Sequence, residues 1–364
     1  MKRSSIKKLF PLLIVLLLFL ILLSCNSRTS VEPPENNIST YIDSCSSFKD
    51  KIPYSALGSG KIVFERISSY TNYKSCTYVI DANKQHVFNI PNAASQCCIS
   101  PDGKYIAFSA YTNLKYHNDI YIVNTDGFNG KRISNFESWE KFPSWSPDGK
   151  YIYFWCNAKS TNHINIYKKS ITADLNDIYL IKTIYNSFDP SGRLSVSKNK
   201  KIAFAVNNAN DPSENGLYII DETNPVLHHI IKNNTIDSLY FDSPIFSISG
   251  ESIYYLKITR EHSHNGKLGC YKAIEIYQTN IDGTNIQKIK KLISSGCQEV
   301  RNNGYNYKTN DTYLALSPDG KKLLLNIYEG NLLSHIYALN INGSNLTQIT
   351  SKQGITDHCI SWGR

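Results

Sequence analysis

Methionine occurs once in 364 residues, and no Cys-x-x-Cys pair or Gly-x-Ser-x-Gly segment occurs at all. The missing cysteine pair removes the usual signature of a dithiol redox centre or a zinc ribbon. The missing serine elbow removes the nucleophile of an α/β-hydrolase, and no hydrolase-sized segment follows the repeats described below. A continuous basic stripe is also lacking. The 39 Lys and Arg are scattered against 30 Asp and Glu, so a nucleic-acid surface has little support and none is expected. The scarcity of Met beside abundant Lys, Asn, Ile and Tyr fits an AT-rich genome and carries no message about activity.

Only one long apolar run is present, Leu9 to Leu23, interrupted by Pro11 and preceded by Lys2, Arg3, Lys7 and Lys8. It is short for a membrane span and suits a signal-peptide core. It ends in Leu22-Leu23-Ser24-Cys25, which resembles a bacterial lipobox. Residues 1–24 are therefore expected to be a lipoprotein signal peptide and Cys25 the lipidated residue, with acyl chains strong enough for stable anchoring. Asn26, in place of an Asp after the cysteine, favours the outer membrane. Loss of the four leading charges lowers the formal net charge from +9 to +5, a mildly basic surface. Residues 25–55, with Pro33-Pro34 and few apolar residues, read as a flexible tether.

Against these absences stands one strong internal repeat. Residues 98–109 read Cys-Ile-Ser-Pro-Asp-Gly-Lys-Tyr-Ile-Ala-Phe-Ser, and 144–155 read Ser-Trp-Ser-Pro-Asp-Gly-Lys-Tyr-Ile-Tyr-Phe-Trp; a third copy begins at Leu316. A period of this size is the mark of a β-propeller blade. Two markers define the unit: an apolar strand of the type Lys61-Ile62-Val63-Phe64, read as half-buried, and an apolar-Tyr pair such as Tyr78-Val79 about 15 residues on. The strand recurs at Tyr105, Tyr151, Lys201, Ser252 and Lys322. The fourth and fifth copies replace the Pro-Asp-Gly turn with Ser197-Lys198-Asn199-Lys200 and Ser249-Gly250-Glu251, which still suit tight turns. The expectation is an all-β, six-bladed propeller of four-stranded antiparallel blades over residues 56–364. His358-Cys359-Ile360-Ser361-Trp362, with Trp362 in the place of Trp145, supplies the inner strand that blade one lacks, closing a monomeric ring without open edges.

The Trp-Ser-Pro-Asp-Gly-Lys repeats resemble the WD40-like, or PD40, repeats of the TolB family. The resemblance implies six four-stranded blades and covers roughly residues 56–364, without the N-terminal domain of that family. It speaks to fold far more than to function, because propellers host unrelated activities. Similar repeats occur in prolyl-oligopeptidase-type propellers, and propeller lyases for pectin fragments hold a divalent metal with histidines.

Strand order places the Pro-Asp-Gly turns and the hairpins at Asp126-Gly127, Asp282-Gly283 and Asn342-Gly343 on one face, where turn chemistry explains the residues better than calcium binding does. The longer connections emerge on the opposite face, the expected place for recognition. From these loops Tyr111, Tyr116, Trp139, Tyr185, Tyr240, His262, His264 and Tyr305 are the candidate binding residues, since aromatic side chains bury area at low entropic cost and keep a polar tip. His262-Ser263-His264 is the best imidazole pair, yet no full ligand set can be assembled, so neither metal nor cofactor is expected. His228-His229 cannot share a strand face. Acidic loop residues such as Glu137, Glu140, Asp242 and Glu299 offer carboxylates for glycoside chemistry, although acidic loops are common.

Besides Cys25 there are eight cysteines, and export to an oxidising compartment favours disulfides. Cys270–Cys297 is the preferred pair and Cys76–Cys97 the second, with buried thiols as the competing reading and Cys45 available to staple the tether. The leading expectation is a non-catalytic, lipid-anchored envelope protein that binds a protein or a glycan through its long-loop face. The alternative is an enzyme, a polysaccharide lyase or glycoside hydrolase, working in the central funnel.

Overall fold

The computed structural model describes residues 48–69, 74–90, 95–111, 117–157, 163–185, 190–207, 211–233, 239–260, 271–292, 313–328, 333–352 and 354–364. Among them there is no α-helix. Strands follow one another in antiparallel meanders. The first strands of the chain are β1 (Lys61–Ser69), β2 (Lys74–Asp81) and β3 (His86–Ile90). They are followed by β4 (Ser95–Ile99), β5 (Tyr105–Tyr111), β6 (Asn118–Asn124) and β7 (Lys131–Arg132), and then by β8 (Trp139–Trp145), β9 (Tyr151–Asn157), β10 (His163–Ser170) and β11 (Ile178–Tyr185). Next come β12 (Pro190–Val196), β13 (Lys201–Val206), β14 (Gly216–Asp221) and β15 (His228–Lys232), then β16 (Leu239–Phe246), β17 (Ser252–Arg260), β18 (Tyr271–Asn280) and β19 (Gln287–Leu292). The chain finishes with β20 (Leu314–Leu316), β21 (Lys322–Tyr328), β22 (Ser334–Asn340), β23 (Thr347–Gln348) and β24 (Thr356–Gly363). Strand β24 pairs with β1 and precedes β1-β2-β3 in the sheet, so the last strand of the chain completes the first four-stranded set. Trp362 faces Ile62 there as Trp145 faces Ile152 in β8–β9.

The second strand of each set is buried on both faces. Ile62, Val63 and Phe64 are inaccessible, and so are consecutive residues Ile202 to Val206. This corrects the half-buried reading of the Lys-Ile-x-Phe strands. Each sheet is sandwiched between two neighbours, so the apolar run is continuous, and the alternation seen in the sequence reflects size more than exposure. Phe204 against Trp155, ring centroids 5.3 Å apart, shows such a contact across adjacent sets.

The Ser-Pro-Asp-Gly turns are built by their own side chains. Ser100 Oγ donates to Asp102 Oδ1 (2.6 Å) and accepts from the Lys104 and Tyr105 amides; Ser317 repeats the arrangement, and Ser146 repeats it with the Asp148 carboxylate and the Tyr151 amide. Gly103 has φ +70°, and a Cβ there would collide with the Arg364 carbonyl, so glycine is required by both conformation and space. The Asp-Gly hairpins sit beside these turns: Thr125 donates to the Lys104 carbonyl, Ile281 to Glu251 and Ile341 to Lys321. Asp282 Oδ1 accepts from the Thr284 amide and hydroxyl, the turn role expected of it.

Candidate functional site where the first strands converge

The first strands of the sets pack against one another, β4 on β8 and β24, and β12 on β8 and β16. All of them but the short β20 carry a left-handed residue where the ladder slips: Gln96 in β4, Phe142 in β8, Ser243 in β16 and Cys359 in β24, with Gly192 in β12. A bulge turns the strand and re-aims its side chains. In β4, β8, β16 and β24 the first strand uses one residue more than the second, as from Ser95 to Ile99 against Ile106 to Ser109. Strand β12 differs. It uses the five steps from Ser191 to Val196 against Ile202 to Ala205.

The extra length of β12 delivers Arg193 to the meeting point. Its Nη1 donates to the Ile360 carbonyl (2.7 Å), and Nη2 donates to the carbonyls of Cys359 (3.2 Å) and Cys97. The guanidinium lies 5.0 Å from the Tyr313 ring centroid, and its buried Nε makes no hydrogen bond. Close approach helps: a Cβ on Gly192 would stand 2.9 Å from Asp242 Oδ1, and the Gly192 carbonyl accepts from Trp155 Nε1 (3.3 Å). Phe142 donates its amide to Gln96 Oε1 (3.0 Å), linking β8 to β4.

Beside Arg193 lies a second group of polar side chains. Glu65 of β1, His358 and Cys359 of β24 each place a donor atom within 4.8 Å of the others. Glu65 accepts from the Ser75 hydroxyl and from the Gln96 amide (3.4 Å). The neighbouring thiol of Cys97 is pushed well up by burial, with Cys359 and Glu65 adding to the effect. The sequence reading missed this group because its members lie at opposite ends of the chain. The signal was present, however, since pairing the last strand with the first set places His358 opposite Glu65.

Of the candidate recognition residues, Trp139 begins β8 and Tyr185 ends β11, at the same end of one four-stranded set but on its first and fourth strands; they are 41% and 65% exposed. Lys141 Nζ stands 4.0 Å over the Trp139 ring, and His163 lies 5.9 Å from the Tyr185 ring. Tyr240 is half-buried and packs against the cluster around Leu256 and Ile258. Tyr111 ends β5 opposite Asn118. Tyr116, His262, His264 and Tyr305 lie outside the described residues, as do Cys25 and the proposed Cys270–Cys297 pair. The second cysteine pairing is corrected: Cys76 is disulfide-bonded, but Cys97 is a buried thiol. Cys98, Cys156 and Cys359 are buried thiols too. Cys97 sits in the crowded centre, where its strand is held by Arg193 and β24.

No protein-family model matches the sequence. Among curated proteins, dipeptidyl-peptidase 5 of Porphyromonas gingivalis is 35% identical over 75 residues, which are 20% of this chain and only 11% of that peptidase. Among solved structures, TolB from Acinetobacter baumannii superposes with a TM-score of 0.61 at 15% identity, over 84% of this chain and 66% of that one. TolB from Agrobacterium tumefaciens gives 0.50 at 14% identity, over 84% of this chain and 100% of that one. An oligogalacturonate lyase in complex with manganese gives 0.52 at 9% identity, over 84% of this chain and 79% of that one. The fold is that of a TolB-like β-propeller, and the convergence of first strands is its axis. At these identities the likeness shows fold alone, and it is shared by catalytic and non-catalytic proteins.

Proposed function

We propose that this protein is a non-catalytic binding propeller of the bacterial cell envelope, anchored through a lipid on Cys25 and recognising a protein or glycan with its long-loop face. In this reading the four-stranded sets form six blades, and β24 closes the ring on β1. The observation that carries the reading is the pair of exposed aromatic side chains on one rim of the β8–β11 blade. Trp139 and Tyr185 stand on rigid strand ends, and an ammonium group stacked on the tryptophan ring adds charge to an apolar face. Exposed aromatics with a polar handle are the usual anchors of protein and sugar recognition. The bond from the Phe142 amide to Gln96 ties β8, which begins at Trp139, to the neighbouring β4, so recognition would need little rearrangement.

The test is in-cell crosslinking of the affinity-tagged, lipidated protein beside a Trp139→Ala/Tyr185→Ala variant. A stoichiometric protein partner or a bound glycan that the variant loses supports the reading. Equal recovery by both proteins removes this rim from it. Turnover of a polysaccharide by the purified protein replaces the reading with the enzyme alternative.

A further inference from the structure

Glu65, His358 and Cys359 are brought together by a break in strand geometry. Consecutive strand residues point to opposite faces, so His358 and Cys359 would ordinarily diverge. Cys359 has φ +55°, and the β1–β24 ladder slips between Val63 and Glu65. The result puts Cys359 Sγ 3.2 Å from His358 Nδ1, with His358 Nε2 3.8 Å from Glu65 Oε2. The kink itself is common to several blades. The donor set is particular to this one: the equivalent kinks carry Ser95-Gln96 opposite Ser109, Lys141-Phe142 opposite Trp155 and Asp242-Ser243 opposite Leu256.

We propose that Glu65, His358 and Cys359 form a binding site for one divalent transition-metal cation, with zinc the best match. A thiolate, an imidazole and a carboxylate are zinc's donor types, and three protein ligands leave a fourth position for water or a bound group. Calcium and magnesium prefer all-oxygen shells and fit poorly. The thiol proton leaves on binding, and the thiolate and carboxylate together then balance the charge of the dication. Glu65 is buried and already oriented by Ser75 and the Gln96 amide, as an outer shell should orient a ligand. His358 Nε2, 3.8 Å from Glu65 Oε2, makes no hydrogen bond and is the nitrogen offered to the cation. The Arg193 bond to the Cys359 carbonyl fixes the strand that carries two of the donors. This site goes beyond the docking reading and does not depend on it.

The experiment is a titration of the purified full chain, stripped of metal with a chelator, with cobalt(II) and then zinc. One equivalent of cobalt should bind with an intense thiolate-to-cobalt absorption, which zinc then displaces. Cys359→Ser should abolish the absorption and Cys97→Ser should keep it. His358→Ala should weaken binding by more than the roughly 10–100-fold that loss of an outer-shell partner costs. If Cys359→Ser does not fold, His358→Ala reads the same question at a side chain 16% exposed, through loss of the zinc-dependent rise in melting temperature. No thiolate absorption at stoichiometric cobalt, an absorption that survives Cys359→Ser, or equal zinc affinity in wild type and His358→Ala would each overturn the proposal.

Discussion

Glu140 and Asp357 occupy the same place in two blades, one opposite Cys156 and the other opposite Arg66. Each follows the residue that touches the preceding blade, Trp139 beside Asn118 and Thr356 beside Ser334. Asp357 takes two hydrogen bonds from Arg66, to Nε (2.6 Å) and Nη2 (2.8 Å), and its pKa is lowered because these bonds outweigh burial. Glu140 has no such cation. Burial, with Asp119 adding to it, pushes its carboxyl up to about 8, although Ser134 and the Phe136 amide donate to it. One position thus holds an ion pair in one blade and a carboxylic acid that is protonated at neutral pH in the other.

The pH dependence of Glu140 follows directly. Above its ordinary value of 4.5 the unfolded chain releases the proton, while the folded chain holds it to about 8. The folded state then binds more protons, so stability falls as pH rises across that window and levels off beyond it. Glu140→Gln keeps the shape and removes the slope. The variant should melt above wild type at pH 9, by an amount on the order of a few kcal/mol, and the gain should vanish by about pH 4.5. Thermal melts at three pH values check this, and a gain that is constant with pH would refute the assignment.

Arg66→Met should be among the most damaging single substitutions. The guanidinium also bonds Asp50, 2.9 Å away, and lies 4.4 Å over the Phe48 ring. Asp50 in turn accepts from the Ser351 and Lys352 amides, tying the segment before β1 to the one after β23. Removing one partner of a buried pair leaves the other charged and unpaired, at about 3–5 kcal/mol. The Arg66→Met/Asp357→Asn double variant should recover part of the loss. Because Asp357 is depressed, wild type should also lose this contribution as acid carries the pH below 3.8. Urea unfolding of the single and double variants reads the effect, and strictly additive losses would argue against coupling.

Repeats, turns and the pairing of the last strand with the first set were legible because they depend on local chemistry. Ser-Pro-Asp-Gly closes its own hydrogen bonds, and Trp362 repeats the context of Trp145. Other features depend on neighbours that no local pattern names. The double-sided burial of Ile202 to Val206 is set by the flanking sheets. Arg193 reaches the axis through one additional residue in β12, for which Gly192 is the sole local hint. The fate of Cys97 turned on which cysteines the fold brings together, and spacing does not encode that.

Arg193 should matter through its fork and not through charge alone. Arg193→Met leaves the carbonyls of Cys97, Cys359 and Ile360 without that donor, and unsatisfied buried groups cost about 1–3 kcal/mol each. Some relaxation is available, so a net loss of about 2–4 kcal/mol is expected in urea unfolding. Arg193→Lys has three donors but no planar fork, and should recover only part of it. Full recovery by lysine would show that the charge suffices.

Deleting residues 359–364 should prevent folding. These residues carry half of the β24–β1 ladder, Trp362 donates to the Ser59 carbonyl (3.0 Å), and the Arg364 amide donates to the Pro101 carbonyl (3.0 Å). Their loss exposes a long apolar edge on β1, which invites association. Expression of the truncated chain as aggregate is the expected outcome, and a soluble protein that melts like full length would contradict it.

Thiol chemistry separates the cysteines by environment. Burial pushes Cys98 and Cys156 up to about 12, so little thiolate exists at neutral pH and alkylation of the native protein should be slow. Cys98 Sγ lies 2.9 Å from the Pro143 carbonyl and Cys156 Sγ 3.0 Å from the Ser138 hydroxyl, so both are packed as small hydrophobes with a weak donor. Cys76 is already in a disulfide. Mass spectrometry of unreduced protein, alkylated before and after denaturation, should therefore show Cys98 and Cys156 labelled only when unfolded and Cys76 labelled only after reduction. Rapid labelling of Cys98 or Cys156 in the native protein would mean that the packing between their blades opens readily.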